Sequence, residues 1–383
     1  MQFIHSKALT LGMELELQIV SNTTGELSPS SLAFWEACKH LDHAERYSLE
    51  ATLSTIELNT SVHEDADTLL AEALALTATL CDAARPMGLL LRGGGTQVTQ
   101  FWNERVMAPT PRAEELAGRF GFLPKRFSTY GMHVHIGAEQ PADALRMGNV
   151  LQALVPLFIA CSAASPFLQM EDTGFCASRP LEPLLYPHAG AMPRFKDWAG
   201  FEQACEEIFS TRLASTLKDI YWDVRPKPEF GTIEVRVFDT PLSVHKAAAL
   251  AAFTRGCAAL ALAGTLRLPD QPQPLTAERV SRFLACRDGL DAELFDPFAQ
   301  AWRPARGWLS ELAAAIAQAP VCAADLRQVQ ALVQHCQHHQ DATLMRDALA
   351  EALQQDQGVR DKQSQLASYS RGLGERLFAT LAG

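Results

Sequence analysis

Long apolar runs and basic clusters are both missing from this sequence. No run of about 18 residues is free of polar side chains, so we predict no membrane-spanning helix. Residues 1–7 have no apolar stretch behind a basic start, and we therefore expect no signal peptide. The 33 Lys and Arg residues are outnumbered by 44 Asp and Glu residues, which makes the net charge −11. Without a basic cluster, nucleic-acid binding is not expected.

Paired cysteine motifs and a phosphate-binding P-loop are also missing. The 9 cysteines are scattered, and no two of them form a Cys-x-x-Cys pair. This usage predicts reduced thiols in a cytoplasmic protein rather than a disulfide framework or a zinc site. Residues 92–96, Arg-Gly-Gly-Gly-Thr, are rich in glycine but lack the lysine and the spacing of a P-loop. They predict either a tight turn after a strand or backbone that closely approaches a ligand.

Apolar periodicity predicts an α+β fold. The candidate helices are 65–85, 142–164 and 244–262, and the candidate strands are 9–20, 47–59, 88–93, 130–137, 219–224 and 230–238. Several strands have one polar face, which favours a mostly antiparallel sheet because parallel sheets are usually buried on both sides. A segment rich in Pro and aromatic residues, 165–200, is long for a structureless loop, and we expect it to be functional or lid-like.

The chain length of 383 residues suits one large domain or two smaller ones. We predict a single catalytic domain over residues 1–383. Its parts are a sheet-and-helix core at 1–265, a helical C-terminal part at 276–355 and a polar tail at 356–383 that can fray.

Four predicted strands carry ionisable side chains on the face opposite their apolar residues. In residues 11–19 the odd positions are apolar, and Glu14 and Glu16 point the other way. The corresponding polar positions of the other strands are Glu57, His133, His135, Glu234 and Arg236. Each pair alone has an ordinary explanation, as a solvated edge, two surface histidines or a surface salt bridge. Together they offer the ligands that divalent cations need, and strands about 4.8 Å apart would bring them into one cage.

Glu50 is a less secure ligand than Glu57. The two residues are separated by an odd number of positions, which places them on opposite faces of a regular strand. A bulge or a turn is required if both are to face the same metal. Arg179 and Arg225 stand in segments punctuated by proline, where each could be a surface charge. They are better candidates to hold phosphate or carboxylate, because a guanidinium group offers a fixed two-pronged fork.

An ordered series of motifs resembles the glutamate–cysteine ligase type 2 family, the bacterial carboxylate–amine ligases. The motifs are Leu11-Gly12-Met13-Glu14-Leu15-Glu16, Gly93-Gly94-Gly95-Thr96, His133-Val134-His135-Ile136-Gly137, Ser162-Ala163-Ala164-Ser165-Pro166, Ser178-Arg179-Pro180, Tyr221-Trp222-Asp223-Val224-Arg225-Pro226 and Gly231-Thr232-Ile233-Glu234-Val235-Arg236-Val237-Phe238-Asp239-Thr240. Each motif is weak alone, but the ordered set is specific and covers roughly residues 9–350.

The resemblance implies a fold of the glutamine-synthetase superfamily type, with a curved antiparallel sheet and helices packed on one face. It also implies ATP and Mg²⁺, with Mn²⁺ as a substitute, and small carboxylate and amine substrates; a homodimer is the candidate oligomer. The implied metal ligands are Glu14, Glu57, His133 and Glu234, with Glu16 and Glu50 as contributors. The implied catalytic and phosphate-binding residues are Arg236 and Arg179, and Arg225 is a further phosphate or substrate contact. The implied substrate contacts are His135, Thr96 and Trp222.

Two departures from the family pattern bear on the substrate. Gln97-Val98 stand where the family commonly has His-Pro, and Ser281 stands where an Asn usually precedes the arginine, here Arg282. They bear on the identity of the substrate more than on the ATP chemistry.

We therefore expect an ATP-dependent carboxylate–amine ligase with an acyl-phosphate intermediate. By resemblance, its reference reaction joins L-glutamate and L-cysteine into γ-glutamylcysteine, and members of this type can be weak in that reaction. Two alternatives stay open. A metal-dependent hydrolase could use His-x-His and carboxylates to activate water, and a non-catalytic small-molecule binding protein could be built on the same fold.

Overall fold

The apolar faces of the predicted strands meet in one antiparallel sheet. The computed structural model describes residues 1–126, 129–270 and 275–355 together with Tyr369. The strands are β1 Leu11–Ser21, β2 Tyr47–Leu49, β3 Thr55–Asn59, β4 Leu89–Arg92, β5 Gly131–Gly137, β6 Phe167–Leu168, β7 Glu171–Asp172, β8 Ala189–Gly190, β9 Tyr221–Trp222, β10 Val224–Lys227, β11 Thr232–Asp239, β12 Glu293–Asp296 and β13 Ala301–Pro304. Apart from Tyr369, the predicted tail at 356–383 lies outside the described residues.

Helices surround this sheet and form most of the C-terminal part. They are α1 Ser31–Cys38, α2 Ala66–Ala84, α3 Pro111–Phe120, α4 Leu123–Arg126, α5 Pro141–Ala153, α6 Val155–Ser162, α7 Trp198–Ser210, α8 Val244–Leu262, α9 Leu275–Asp288, α10 Ala305–Ile316, α11 Ala323–His338 and α12 Asp341–Gln355. Helices α2 and α8 are preceded by the N-cap residues Asp65 and Ser243, whose side chains accept hydrogen bonds from backbone N–H groups of the first turn.

Seven strands make the main sheet, in the order β10-β11-β5-β1-β3-β2, and β4 pairs with the second half of β1. All its pairings are antiparallel, which confirms the predicted α+β class and sheet type. The odd residues of β1 are buried against helices such as α2 and α8, in a core that includes Leu15, Val134 and Phe253. Burial of this face leaves the even residues of β1 on the opposite side, as period-two alternation requires.

Two predicted elements are each divided in the structure. The helix expected at 142–164 is two helices, α5 and α6, which meet at Leu154 with a bend of 61°. Pro156 explains the break, because it has no N–H to donate to the preceding turn. The prediction of one continuous strand at 47–59 is wrong, because a turn at 50–54 separates β2 from β3. No single described helix is long and apolar enough to span a bilayer, and only α5 and α6 taken together would qualify by length and composition.

Two further segments contain structure that the sequence pattern did not indicate. Segment 165–200 includes three short strands and a 3₁₀ helix, Arg179–Leu185, so it is not structureless. Ser165, Phe167 and Ala177 of this segment are buried, and its lid-like role stays a prediction. The C-terminal part is not wholly helical, because β12 and β13 form an antiparallel pair between α9 and α10.

Candidate active site

Cross-strand pairing brings the polar faces of four strands together. In the register of the sheet, Glu14 lies opposite His133, and Glu16 lies opposite Glu57. His135 lies opposite Glu234 in the next pair of strands. Residues directly opposite in an antiparallel pair are close enough for their side chains to interact. The four stretches singled out in the sequence therefore form one continuous polar surface.

The first part of this surface is centred on Glu14. Its two carboxylate oxygens accept hydrogen bonds from His133 Nδ1, at 2.7 Å, and from His135 Nε2, at 3.1 Å. One carboxylate oxygen of Glu234 lies 3.9 Å from His133 Nδ1 and 3.8 Å from His135 Nε2. His135, predicted as a substrate contact, thus lies among potential metal ligands.

The second part is a group of three carboxylates, Glu16, Glu50 and Glu57. Ligand oxygens of all three lie within 4.8 Å of one another. Glu50 is the first residue of the turn that follows β2. In a continuous strand its odd separation from Glu57 would put the two side chains on opposite faces, and the turn allows both to reach the same place. Ser48 Oγ and Asn59 Nδ2 donate to Glu57 at 2.7 and 3.0 Å and orient its carboxylate.

The six predicted metal ligands are therefore gathered in one place. Three sets of three ligand atoms have metal-binding spacing: Glu14, Glu57 and His133; Glu14, His135 and Glu234; Glu16, Glu50 and Glu57. Carboxylate oxygens are the ligands preferred by Mg²⁺, and imidazole nitrogen is also accepted by Mn²⁺. The donor set fits hard divalent cations shared among several carboxylates.

The charges of the first part are balanced within the protein. Burial by itself raises the pKa of Glu14, but the hydrogen bonds from His133 and His135 outweigh burial and lower the pKa well below its ordinary value. Burial likewise raises the pKa of Glu234, and the positive charges of Arg225 and Arg236 reverse this and lower it. Both carboxylates are therefore ionised at neutral pH without a cation.

The charges of the second part are only partly balanced. Burial raises the pKa of Glu16, Glu50 and Glu57. For Glu50 the neighbouring charges of Glu57 and Glu16 raise the pKa further. Across residues 1–126, 129–270 and 275–355, neither Glu50 nor Glu57 forms an ion pair. The positive charges of Arg179 and Arg236 lie near Glu16, but they do not offset the repulsion at Glu50. Three closely spaced, partly buried carboxylates are costly to ionise together, and a divalent cation would remove that cost.

Three arginines border this surface in different ways. Arg236 donates to Glu234 and is partly exposed, so its guanidinium group is accessible from the site. Arg179 is buried and reaches the carbonyl oxygens of Arg236 and Val237, both at 3.4 Å. A β-bulge between Val235 and Phe238 interrupts the pairing of β11 with β5 at these residues. Gly131 leaves room for Arg179, because a Cβ atom there would lie 1.9 Å from its Nη2.

Arg225 is committed to contacts within the protein. Its Nε donates to Glu234 at 2.9 Å, and its Nη1 donates to the carbonyl oxygens of Leu217 and Ile220 at 2.8 and 3.0 Å. These contacts hold Glu234 in place. Its predicted contact with phosphate or substrate would require these bonds to rearrange.

The remaining predicted substrate contacts lie apart from the carboxylates. Thr96 is buried, and its hydroxyl donates to the carbonyl oxygen of Phe167 at 2.6 Å. Trp222 lines a cleft beside Arg236. Two of the residues that depart from the family pattern accept local hydrogen bonds. Gln97 Oε1 accepts from the backbone N–H of Gln100 at 2.9 Å, and Ser281 Oγ accepts from the backbone N–H of Phe295 at 2.8 Å.

Sequence reasoning missed Asp223 and Arg282, which form an ion pair in the cleft that Trp222 lines. Asp223 was present in the motif Tyr221–Pro226, but nothing in the sequence connected it with Arg282, 59 residues later. The pairing depends on the position of α9, which carries Arg282, relative to Asp223 in the link between β9 and β10.

Comparison with known proteins identifies a family for the chain. The model of glutamate–cysteine ligase family 2 (GCS2) matches residues 10–369. A Bordetella avium protein named "Putative glutamate–cysteine ligase 2" is 40% identical over 303 residues, which is 78% of this chain and 73% of that protein. A protein of the same name from Acidovorax sp. is 39% identical over 295 residues, or 77% of this chain and 79% of that protein.

Two solved structures share the fold at low sequence identity. The glutamate–cysteine ligase of Francisella tularensis, solved in complex with AMP, has a TM-score of 0.69 at 13% identity and covers 97% of this chain and 89% of its own. A bifunctional glutathione synthetase from Pasteurella multocida has a TM-score of 0.63 at 14% identity, covering 96% of this chain and 53% of its own. The predicted fold class is confirmed by these likenesses.

Proposed function

Because the chain belongs to glutamate–cysteine ligase family 2, we propose that it is an ATP-dependent carboxylate–amine ligase that makes γ-glutamylcysteine or a closely related product. The observation that carries the proposal is the gathering of Glu14, Glu16, Glu50, Glu57 and Glu234 on one face of the sheet, beside Arg236. So many closely spaced carboxylates fit divalent cations, and cations next to a guanidinium group fit a polyphosphate.

The proposed reaction has two steps. The γ-phosphate of ATP passes to a substrate carboxylate, which releases ADP and forms an acyl phosphate. The amine then attacks the acyl carbon, the new C–N bond replaces the C–O bond to phosphate, and inorganic phosphate leaves with a proton lost from the amine. Charge develops on the transferring phosphoryl group in the first step, so fixed positive groups contribute most of the catalysis.

Each part of the site has a task in this scheme. The carboxylates and His133 would hold Mg²⁺ or Mn²⁺, which neutralises phosphate charge when bound. Arg236 would stabilise the phosphoryl group, because Glu234 engages its Nη1 while the side chain stays partly exposed. Arg225 keeps Glu234 ionised and oriented. His135 is assigned to the metal-binding group as well as to substrate.

Release of ADP tests the proposal directly. Purified protein is supplied with Mg²⁺, ATP, one carboxylate and one amine, starting with L-glutamate and L-cysteine and continuing over a panel of amino acids and amines. We expect ADP release only when both co-substrates are present, with formation of an amide product detected by mass spectrometry. ATP-independent hydrolysis of an ester, amide or phosphate would instead support the hydrolase, and binding without turnover would support a binding protein.

A conservative variant links this activity to the carboxylates. Glu14→Gln removes one anionic ligand with little change in volume, and we expect kcat to fall by orders of magnitude while the melting temperature changes little. Glu36→Gln is the control, since Glu36 lies exposed on α1 and pairs only with Lys39 among the described residues. Near-normal ADP release from Glu14→Gln at saturating Mg²⁺ would remove Glu14 from the metal site.

A further inference from the structure

Three motifs of the sequence, at residues 93–96, 162–166 and 178–180, have no task in the scheme above. In the structure they meet around one side chain, that of Asp239, which is the last residue of β11. Only 1% of Asp239 is exposed. A buried carboxyl group is unfavourable unless hydrogen bonds and nearby charges replace its lost hydration. The contacts of Asp239 therefore show which parts of the molecule it serves.

The closest contacts of Asp239 are with the segment 162–166. Its Oδ2 accepts hydrogen bonds from the backbone N–H of Ala164 at 2.8 Å and from the hydroxyl of Ser165 at 2.6 Å. Gly95 leaves room for this carboxyl group, because a Cβ atom at Gly95 would lie 2.5 Å from Cγ of Asp239. Hydrogen bonds to an ionised acceptor are stronger than those between neutral groups. They fix Ser165 relative to the end of β11.

Ser165 connects Asp239 to Arg179. The same hydroxyl that donates to Asp239 accepts from the backbone N–H of Arg179 at 3.0 Å. Ser178 adds a second link, since its hydroxyl donates to the carbonyl oxygen of Ser165 at 2.7 Å. The 3₁₀ helix Arg179–Leu185 thus begins at a place that Asp239 sets through one buried hydroxyl group.

The side chain of Arg179 extends from this fixed backbone towards β5. It lies over Gly131, which is the residue opposite Asp239 in the pairing of β5 with β11. Its two contacts with carbonyl oxygens are long, at 3.4 Å each, and they hold the guanidinium group only weakly. The position of this group therefore depends on where its backbone starts and on the charges around it.

The negative charge of Asp239 acts on Arg179. Oδ1 of Asp239 is buried and has no hydrogen-bond partner among the described residues. Burial raises the pKa of Asp239 to about 6, and the charge of Arg179 is the strongest influence that opposes this rise, ahead of Lys246. A neutral acceptor could hold Ala164 and Ser165 without the cost of burying a charge. The charge is therefore explained by Arg179 and not by the hydrogen bonds.

We propose that Asp239 and Ser165 are positioning residues for Arg179, which fix its backbone and the charge beside its guanidinium group. The proposal rests on the ligase function proposed above, in which Arg179 lies next to Arg236 at the border of the metal-binding surface. A guanidinium group that is held before the reaction needs no reordering in the transition state. Displacement of such a group by about 1 Å can lower the rate about 100-fold.

Two serine variants from one motif test this assignment. Ser165→Ala removes the hydroxyl between Asp239 and Arg179. Ser162→Ala is the matched control, because Ser162 is equally buried and its hydroxyl donates only to carbonyl oxygens of its own helix among the described residues. For Ser165→Ala we expect kcat/KM for ADP release to fall about tenfold to 100-fold, whereas Ser162→Ala should match wild type. Melting temperature is measured on each preparation.

A double-mutant cycle separates positioning from general stability. Arg179→Lys keeps the charge but loses the planar fork. If Ser165 acts through Arg179, adding Ser165→Ala to Arg179→Lys should lower kcat/KM by no more than about twofold, because residues that act as one unit are not additive. Losses that multiply in the double variant would overturn the proposal in favour of a structural role. Equal activity of Ser165→Ala and Ser162→Ala would overturn it as well.

A second variant covers a failure of Ser165→Ala to fold. Asp239→Asn keeps the volume and an acceptor for Ala164 and Ser165 but removes the charge beside Arg179. It enters the same cycle with Arg179→Lys, and the same loss of additivity is expected. Full activity of a folded Asp239→Asn protein would overturn the part of the proposal that concerns charge.

A spectroscopic readout needs no turnover. The Nε–Hε cross-peak of Arg179 in a ¹⁵N NMR spectrum is identified by its loss in Arg179→Lys. We expect this peak to shift in Ser165→Ala and in Asp239→Asn and to stay in place in Ser162→Ala. An unshifted peak in the first two variants would refute the positioning role. If the wild-type protein releases no ADP, a shift confined to those two variants still supports positioning of Arg179, although the ligase proposal has failed.

Discussion

The three carboxylates of Glu16, Glu50 and Glu57 give the sharpest prediction about the metal site. Replacing Glu57 by Gln should have opposite effects on the protein with and without Mg²⁺. Without the cation, the variant should melt at a higher temperature than wild type at neutral pH, because one of three mutually repelling, partly buried charges is gone. With Mg²⁺, the variant should gain less stability than wild type, because one ligand is lost. The amide oxygen of Gln can still accept from Ser48 and Asn59.

The expected size follows from linkage and from the length of the chain. A cation present at about 100 times its Kd stabilises the fold by about 2.7 kcal/mol. An unfolding entropy of about 2.1 cal/mol/K per residue gives about 0.8 kcal/mol per degree for 383 residues. One such Mg²⁺ ion should therefore raise the wild-type melting temperature by about 3 °C, since the shift is the binding term divided by that entropy.

The sign of the pH dependence can also be worked out. The folded-state pKa of each of these carboxyl groups is raised above the unfolded value, which for Glu is about 4.3. Below that pH both states are protonated and the groups have no effect on stability. As pH rises above it, the unfolded state ionises first, and the cation-free fold loses stability. Stabilisation by Mg²⁺ should therefore be larger at about pH 7.5 than at about pH 5.5, because binding requires ionised ligands.

Thermal melts at several pH values, with EDTA or with Mg²⁺, measure all of these effects on one preparation. Glu36→Gln serves as the matched control and should behave as wild type in every condition. A Mg²⁺ shift of equal size in wild type and Glu57→Gln would refute the reasoning. So would a Glu57→Gln protein that is less stable than wild type in EDTA at neutral pH.

Three further predictions concern other parts of the molecule. Arg236→Lys keeps the charge but loses the planar fork, so it should keep its melting temperature yet lose most of kcat in the ADP-release assay; unchanged turnover would exclude Arg236 from the site. Gly131→Ala should displace Arg179 and lower kcat/KM, measured beside Gly118→Ala, whose Cβ would meet nothing within 4 Å; equal activity of the two variants would contradict this. Lys246→Met leaves Asp341 buried without its closest charged partner. Denaturant titrations should show a free energy of unfolding lower by about 3–5 kcal/mol, with kcat unchanged where the variant is folded. A loss below about 1 kcal/mol would instead mean that the pair is as weak as a surface salt bridge.

Local sequence determined the elements that build the site. Alternation in β1 and β5 requires one apolar face, and burial of Leu15 and Val134 forces Glu14 and His133 to the other side. A one-residue slip would bury the charged side chains, so the register follows from the pattern. The identity of the ionisable residues then indicated metal and phosphate chemistry without any knowledge of their distances.

Only the tertiary structure decided how those residues are used. Glu50 joins Glu57 because the chain turns at 50–54, which strand periodicity does not predict. Arg225 donates hydrogen bonds to Glu234 and to two backbone carbonyl groups, although its sequence context equally suggested a ligand contact. Asp223 meets Arg282 only when α9 packs beside the sheet. Such contacts depend on packing between distant segments, and the sequence by itself determines which groups are available but not which of them meet.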